Sequence, residues 1–273
     1  MKKGAGGKII SRILLVLVAL IFLVPVVMMA LGSVKTADEA VRFDLSLPSR
    51  VTFENYQYVF EHGHVLTGYF NSILMTVGAT LIVLLCGALT GIYVGRTRSK
   101  VSSLLYSYFL LGLTLTFQIA STFAMLQKIN LYGTRIAVIM IYAATQMPFT
   151  VMTFASFIKG IPKEIDEAGF IDGCGMLDVI FRVLIPMMKP IFITNLIVVA
   201  ISCWNNFMIP LFYLESSSHV DDSANGLYFF GKNVRNWNNV FAMLMVTIIP
   251  VVILYLCLQR YIVEGMTAGA VKG

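Results

Sequence analysis

Charge is what this sequence has least of. Asp, Glu, Lys and Arg make up 12% of its 273 residues, about half the usual share in a soluble globular chain. Four long apolar stretches, residues 13–31, 72–95, 101–126 and 240–258, contain no Asp, Glu, Lys, Arg or His. That argues against an ion- or proton-coupled secondary transporter, which needs ionisable groups near mid-span. There is no G-x-x-x-x-G-K-[ST] loop either: Gly7-Lys8 lacks the upstream Gly and is followed by Ile9. The chain is therefore not expected to hydrolyse ATP. His62, His64 and His219 have no metal-ligand spacing, and no Ser/His/Asp set is present. No catalytic residue and no metal site are expected. Cys86, Cys174, Cys203 and Cys257 form no C-x-x-C pair and read as small apolar residues.

What fills the space is hydrocarbon. Hydrophobic residues reach 58% and the mean hydropathy is +0.83, more apolar surface than a soluble domain could hide, so the lipid bilayer is the expected solvent. Six runs approach or exceed the roughly 20 residues needed to cross it: 13–31, 72–95, 101–126, 136–158, 190–214 and 240–258. The first follows Lys2, Lys3, Lys8 and Arg12 and could be a signal peptide. Its length exceeds the roughly 7–15 residues of a typical signal core, which favours a retained anchor. With no repeat or linker between the runs, residues 1–273 read as one all-α, polytopic membrane domain. The net charge of +6 clusters on no soluble segment, so no nucleic acid is expected. Placing the N-terminus in the cytoplasm puts thirteen of the twenty Lys and Arg residues inside, as the positive-inside rule requires. Residues 159–189 and the C-terminus then face the cytoplasm too.

Residues 161–190, IPKEIDEAGFIDGCGMLDVIFRVLIPMMKP, are the one long charged stretch between two apolar runs. Pro162 suits the first position of a helix, where a missing N–H costs nothing. Glu164, Asp166 and Glu167 fall in the opening turns, where negative charge meets the positive end of the helix dipole. Gly173 and Gly175 supply the break that ends it. The expectation is a short, exposed, acidic helix held between spans.

These residues resemble the cytoplasmic loop of binding-protein-dependent ABC importer permeases, written E-A-A, three residues, G, nine residues, I, one residue, L-P. Glu167, Ala168 and Gly169 stand at E-A-A, Gly173 at G, and Val183, Ile185 and Pro186 at I, L and P. Gly169, Val183 and Ile185 depart from the pattern, and Gly169 beside Gly173 is expected to loosen the helix. Asp172-Gly173 is similar to the D-G of the sugar-importer branch, with Cys174 in place of its usual Ala. Residues 47–60, LPSRVTFENYQYVF, resemble that branch's P-x-x-x-T-x-x-N-Y segment at Pro48, Thr52, Asn55 and Tyr56. The aromatics around it read equally as an interfacial belt. The ending, QRYIVEGMTAGAVKG, resembles the branch's closing segment at Gln259, Arg260, Gly265, Gly269, Val271, Lys272 and Gly273.

Two further polar stretches lie within apolar runs. Trp204, Asn205 and Asn206 match a W-N often present there in sugar-importer permeases, and Thr145 and Gln146 precede Met147-Pro148. Either set could bond between helices or line a wet path, and Pro148 is expected to kink its helix. Tyr228, Phe229, Phe230 and Trp237 lie in a loop expected outside, where family members meet a binding protein; a plain solvated loop is the competing reading.

The resemblance implies the type I ABC importer permease fold, about six transmembrane helices with a cytoplasmic coupling helix, in the inner membrane. It implies ATPase coupling through Glu167, Ala168, Gly169, Asp172, Gly173 and Pro186, and tail contact with the ATPase through Gln259, Arg260, Gly269, Lys272 and Gly273. Thr145, Gln146, Trp204, Asn205 and Asn206 would line the translocation path. Implied partners are a second permease subunit, a dimer of cytoplasmic ABC ATPase that brings ATP and Mg, and an extracytoplasmic solute-binding protein. No cofactor is expected in this chain. A carbohydrate is the expected solute, with glycerol phosphate as the alternative.

Overall fold

The computed structural model describes residues 5–115, 117–214 and 236–270. Helices supply its secondary structure: among the described residues the only β pairing is an isolated bridge between Gly133 and Leu214. The long helices are α1 (Ala5–Gly32), α4 (Val65–Arg96), α5 (Lys100–Thr114), α7 (Arg135–Lys159), α11 (Lys189–Trp204) and α13 (Trp237–Ala270). Between them lie the shorter α2 (Ala37–Ala40), α3 (Glu54–His62), α6 (Ile119–Lys128), α8 (Glu164–Ile171), α9 (Met176–Asp178), α10 (Ile185–Met187) and α12 (Met208–Tyr213). A π-helical stretch, Val179–Leu184, joins α9 to α10.

Four helices are long and apolar enough to cross a membrane singly, and six spans result if two bent pairs each count as one. One bend interrupts the span expected at 101–126; the other, of 72°, falls at Met188, just before the span expected at 190–214. The first run breaks between α5 and α6 with a bend of 119°. Here Thr114 Oγ1 donates to the Leu111 carbonyl and Leu115 turns extended. β-Branched Thr residues that bond their own backbone are weak helix formers, and apolar content alone does not reveal the interruption. The second run ends at Trp204 and restarts at Met208. The final helix runs past the span expected at 240–258 and continues to Ala270, so most of the closing segment is helical.

The chain forms two compact units, one from Met1–Thr67 with Ala224–Pro250, the other from Gly68–Ser223 with Val251–Gly273. In the first, Lys35 is 1% exposed. Its ammonium donates to the Asp44 carboxylate at 2.6 Å, to the Asp44 carbonyl at 3.2 Å and to Ser46 Oγ at 3.2 Å. Three donors thus meet three acceptors, which is what makes a buried ammonium tolerable. Asn55, also buried, donates to the carbonyls of Ser33 and Lys35 and accepts from Asn238 Nδ2 at 2.6 Å. Tyr56 shares a hydrogen bond with Ser33 Oγ, and the Thr52 N–H bonds the Val34 carbonyl. The Thr-x-x-Asn-Tyr segment is therefore an internal staple of this unit. Trp237 packs edge-on against Phe43, ring centres 4.7 Å apart.

In the second unit α4 and α7 lie unusually close. A Cβ on Gly91 would stand 2.5 Å from Phe154 Cβ and 3.1 Å from the Val151 carbonyl oxygen. Gly87 and Gly95, one turn to either side, face Thr150 and Ile158. Small residues four apart let helix backbones approach where lipid gives no hydrophobic drive for association. One buried cluster collects Met75, Val83, Val138, Tyr142, Val199 and Tyr213. A second collects Ile92, Phe154, Ile158, Ile161, Val179, Leu184 and Met188, and it carries α8.

Candidate functional site

The acidic helix expected around Glu167 is α8, but it begins at Glu164, two residues past Pro162. Were Pro162 the first helical residue, the Ile161 carbonyl would accept the first helical bond. Instead Arg96 Nη1 takes that carbonyl at 2.8 Å, and the Ile161 side chain is buried in the core. The helix then ends as a Schellman motif. The Gly173 N–H returns to the Phe170 carbonyl, the Cys174 N–H returns to the Gly169 carbonyl, and Gly173 adopts φ +82°. Only glycine takes that conformation without strain, which accounts physically for the Asp172-Gly173 pair.

Arg96, at the end of α4, holds α8 in place. Its Nη2 donates to Asp166 Oδ1 at 2.9 Å, and its Nε lies 2.8 Å from Asp166 Oδ2. This ion pair, with one hydrogen bond in it, is 12% and 17% exposed at its side chains, a setting where water weakens it little. Gly169, expected to loosen the helix, instead fits it to its neighbour. It is buried, and a Cβ there would meet Val179 Cγ2 at 3.1 Å. Glu167, Ala168, Asp172 and Gly173 are exposed, as is Pro186 beyond the π-helix. The same surface shows Phe170 (51% exposed), Ile171 (85%), Met176 (66%) and Leu177 (69%). Apolar side chains ringed by carboxylates on a rigidly held short helix make a surface suited to burial against another protein. The sequence reading noted the carboxylates and missed the apolar knob. Ile171 interrupts no periodicity, so only its exposure reveals it.

One of the two polar stretches considered for the path is tied to α7 about one turn from the other. Tyr142 of α7 donates its hydroxyl to the Asn206 carbonyl at 2.9 Å, and Thr145 Oγ1 donates to the Tyr142 carbonyl at 3.0 Å. Asn205 caps the end of α11, and Asn206 Oδ1 accepts from the Ile209 N–H at 3.1 Å at the start of α12. The W-N-N triplet therefore builds the break between two helices. Trp204 stands 6.3 Å, ring centre to ring centre, from Tyr69. Gln146 is half-buried one residue beyond Thr145. Reasoning from sequence missed a deeper polar contact, Thr153 Oγ1 donating at 2.9 Å to Asn195 Oδ1, with Asn195 fully buried. Pro148 lies within α7, which runs on past it to Lys159.

Gln259, Arg260 and Gly269 lie in α13. Lys272 and Gly273 lie outside the described residues, as do Tyr228, Phe229 and Phe230; Trp237 packs within its own unit. Among the described residues no group of His, Cys, Asp and Glu is arranged to hold a metal ion.

Comparison with known proteins gives a consistent result. The family model described as the binding-protein-dependent transport system inner membrane component matches residues 87–268. A probable ABC transporter permease of Bacillus subtilis, YurM, is 31% identical over 252 residues, covering 91% of this chain and 83% of that one. The melibiose/raffinose/stachyose import permease MelC of the same organism is 29% identical, covering 83% of each chain. MsmG of Streptococcus mutans, a multiple sugar-binding transport system permease, is 30% identical over 95% of each. Among solved structures, a bacterial ABC transporter for import of the acidic polysaccharide alginate superposes with a TM-score of 0.81. It covers 93% of this chain and 95% of that one at 22% identity.

Proposed function

This chain belongs to the binding-protein-dependent transport system inner membrane components, permease subunits of ABC importers, and from that premise we propose that it carries a carbohydrate and is driven through α8. The observation that carries the reading is the exposed acidic–apolar face of α8, fixed to the end of α4 by Arg96 and Asp166. Glu167, Ala168, Ile171 and Asp172 enter a groove of a cytoplasmic ATPase, which hydrolyses the ATP that this chain cannot. Closure of the ATPase pair moves α8, and the clamped α4 and α7 move with it, so the spans alternate between inward-open and outward-open states. The N-terminus and the α8 loop are cytoplasmic, as the distribution of Lys and Arg supports. An extracytoplasmic binding protein favours the outward-open state through differential contacts with the two states.

One chain forms half of the pathway, and a second, different permease subunit completes it. Thr145, Gln146 and the Tyr142-pinned break at Trp204–Asn206 line this half. The final helix, with Gln259, Arg260, Gly269, Lys272 and Gly273, approaches the ATPase. The names of MelC and MsmG support a carbohydrate over glycerol phosphate as solute.

Affinity capture of the tagged chain in mild detergent, with and without Glu167→Arg, tests the coupling role. Wild type is expected to bring down an ABC ATPase and a second permease, and the variant to lose the ATPase while keeping the permease. Capture of the chain alone, under conditions that preserve other membrane complexes, would overturn the reading.

A further inference from the structure

We infer that the cleft between the α4–α5 turn and the end of α7 binds the phosphate of an anionic phospholipid headgroup. The cleft is open, has a volume of about 500 Å³ and is lined by the exposed Arg98, Lys100 and Lys159 together with Ser99, Ser103 and Tyr106. No carboxylate lines it, and no ion pair among the described residues involves any of its three cations. Three like charges around one cavity repel one another unless an anion joins them.

The site is built for more than charge. Lys159 Nζ sits 4.9 Å from the centre of the Tyr106 ring, which directs the ammonium across the cleft. The opening turn of the fifteen-residue α5 lines the cavity through Ser99, Lys100, Ser102 and Ser103, with Ser99 Oγ accepting from the Ser102 N–H. A helix start adds positive potential of its own. Ser103 and Tyr106 supply hydroxyls of the kind that surround phosphate oxygens.

Depth identifies the source of the anion. α7 runs from Arg135 to Lys159 with no charge between, and its 25 residues span about 37 Å, more than the roughly 30 Å of hydrocarbon. Lys159 therefore stands at headgroup level, where basic clefts between helices select anionic lipid. The inference does not depend on which solute the transporter carries.

The test is lipid retention by the full chain reconstituted in phosphatidylcholine nanodiscs with a minority of phosphatidylglycerol. Each cation near an anionic headgroup contributes a factor of about five, so Arg98→Gln/Lys159→Gln should lower phosphatidylglycerol enrichment about thirtyfold. The charge-keeping pair Arg98→Lys/Lys159→Arg should restore it, and Lys128→Gln at the far end should leave it unchanged. Equal enrichment in wild type and the double Gln variant would overturn the proposal. So would displacement of the bound lipid by inorganic phosphate at equal affinity, which would mark a site for the free anion.

Discussion

Arg96 and Asp166, seventy residues apart in sequence, meet through a hydrogen bond of 2.9 Å and an ion-pair contact of 2.8 Å. A third contact ties Arg96 to the Ile161 carbonyl. One guanidinium thus fastens both the entry to α8 and its first turn to the last residue of α4. A rigid clamp of this kind passes a displacement of α8 to a spanning helix with little loss.

Asp166→Asn should leave the Arg96 charge half-buried without its partner, lowering stability by about 2–3 kcal/mol. Solute uptake should fall further than ATPase activity does, because the helix still docks but no longer pulls. The swap Arg96→Asp/Asp166→Arg should recover part of both, as measured by uptake and ATPase rates on the reconstituted transporter. Uptake unchanged in Asp166→Asn would show that the clamp is dispensable.

Ile171 is 85% exposed, so Ile171→Asp should leave the thermal midpoint of the isolated chain where it is. Its effect should instead fall on association with the ATPase, by roughly tenfold or more, since a charge would enter a desolvated contact. Co-purification of the ATPase at wild-type yield would contradict this.

Gly91 faces Phe154 Cβ at a distance that leaves no room for a side chain. Gly91→Leu should force α4 and α7 apart, with a stability loss of about 3 kcal/mol or more. A lower melting temperature in detergent and poor accumulation in the membrane are the expected signs. Gly175, where a Cβ would meet nothing closer than the Asp178 carboxylate at 3.7 Å, should tolerate Ala better in the same assay.

Acid should act first on the unit that holds Lys35. Hydrogen bonds from Ser49 hold Glu39 down to about 2, and the Lys35 ammonium, with Ser46, holds Asp44 at about 2. Both folded values lie below the ordinary carboxylate value of about 4. The unfolded chain therefore binds more protons in between, and the contribution to stability is complete above about pH 4 and lost as pH falls towards 2. Melting temperatures recorded over that window should drop, and the drop should be smaller in Asp44→Asn, which has one fewer group to titrate.

The membrane character of the chain and the place of α8 were legible because each rests on local pattern. Apolar length marks a span, and acids at a helix start with an αL glycine at its end mark a short helix. The Arg96–Asp166 pair carries no such signal, since a contact between distant charges leaves no period in the sequence. The breaks at Leu115 and at Asn205–Asn206 were hidden because an apolar run reads alike whether its helix is straight or broken. Gly87, Gly91 and Gly95 did carry a signal, a spacing of four, but its meaning depends on finding α7 opposite. Asn55 was singled out by its motif, yet only the structure shows its carboxamide turned inward to Ser33, Lys35 and Asn238.

The π-helical stretch Val179–Leu184 gives chain length itself a function. A π turn holds an extra residue relative to an α turn, and each α-helical residue accounts for about 100° of rotation. Were all six residues wound as α, everything after them, α11 included, would turn by about that angle relative to α8, whereas deleting one residue as the segment relaxes to α would largely cancel the turn. The nine-residue interval between Gly173 and Val183 spans this stretch. Gene variants that lose one codon there should therefore keep α11 close to its direction, whereas those that add a codon or lose two should misdirect it even when every remaining side chain is unchanged.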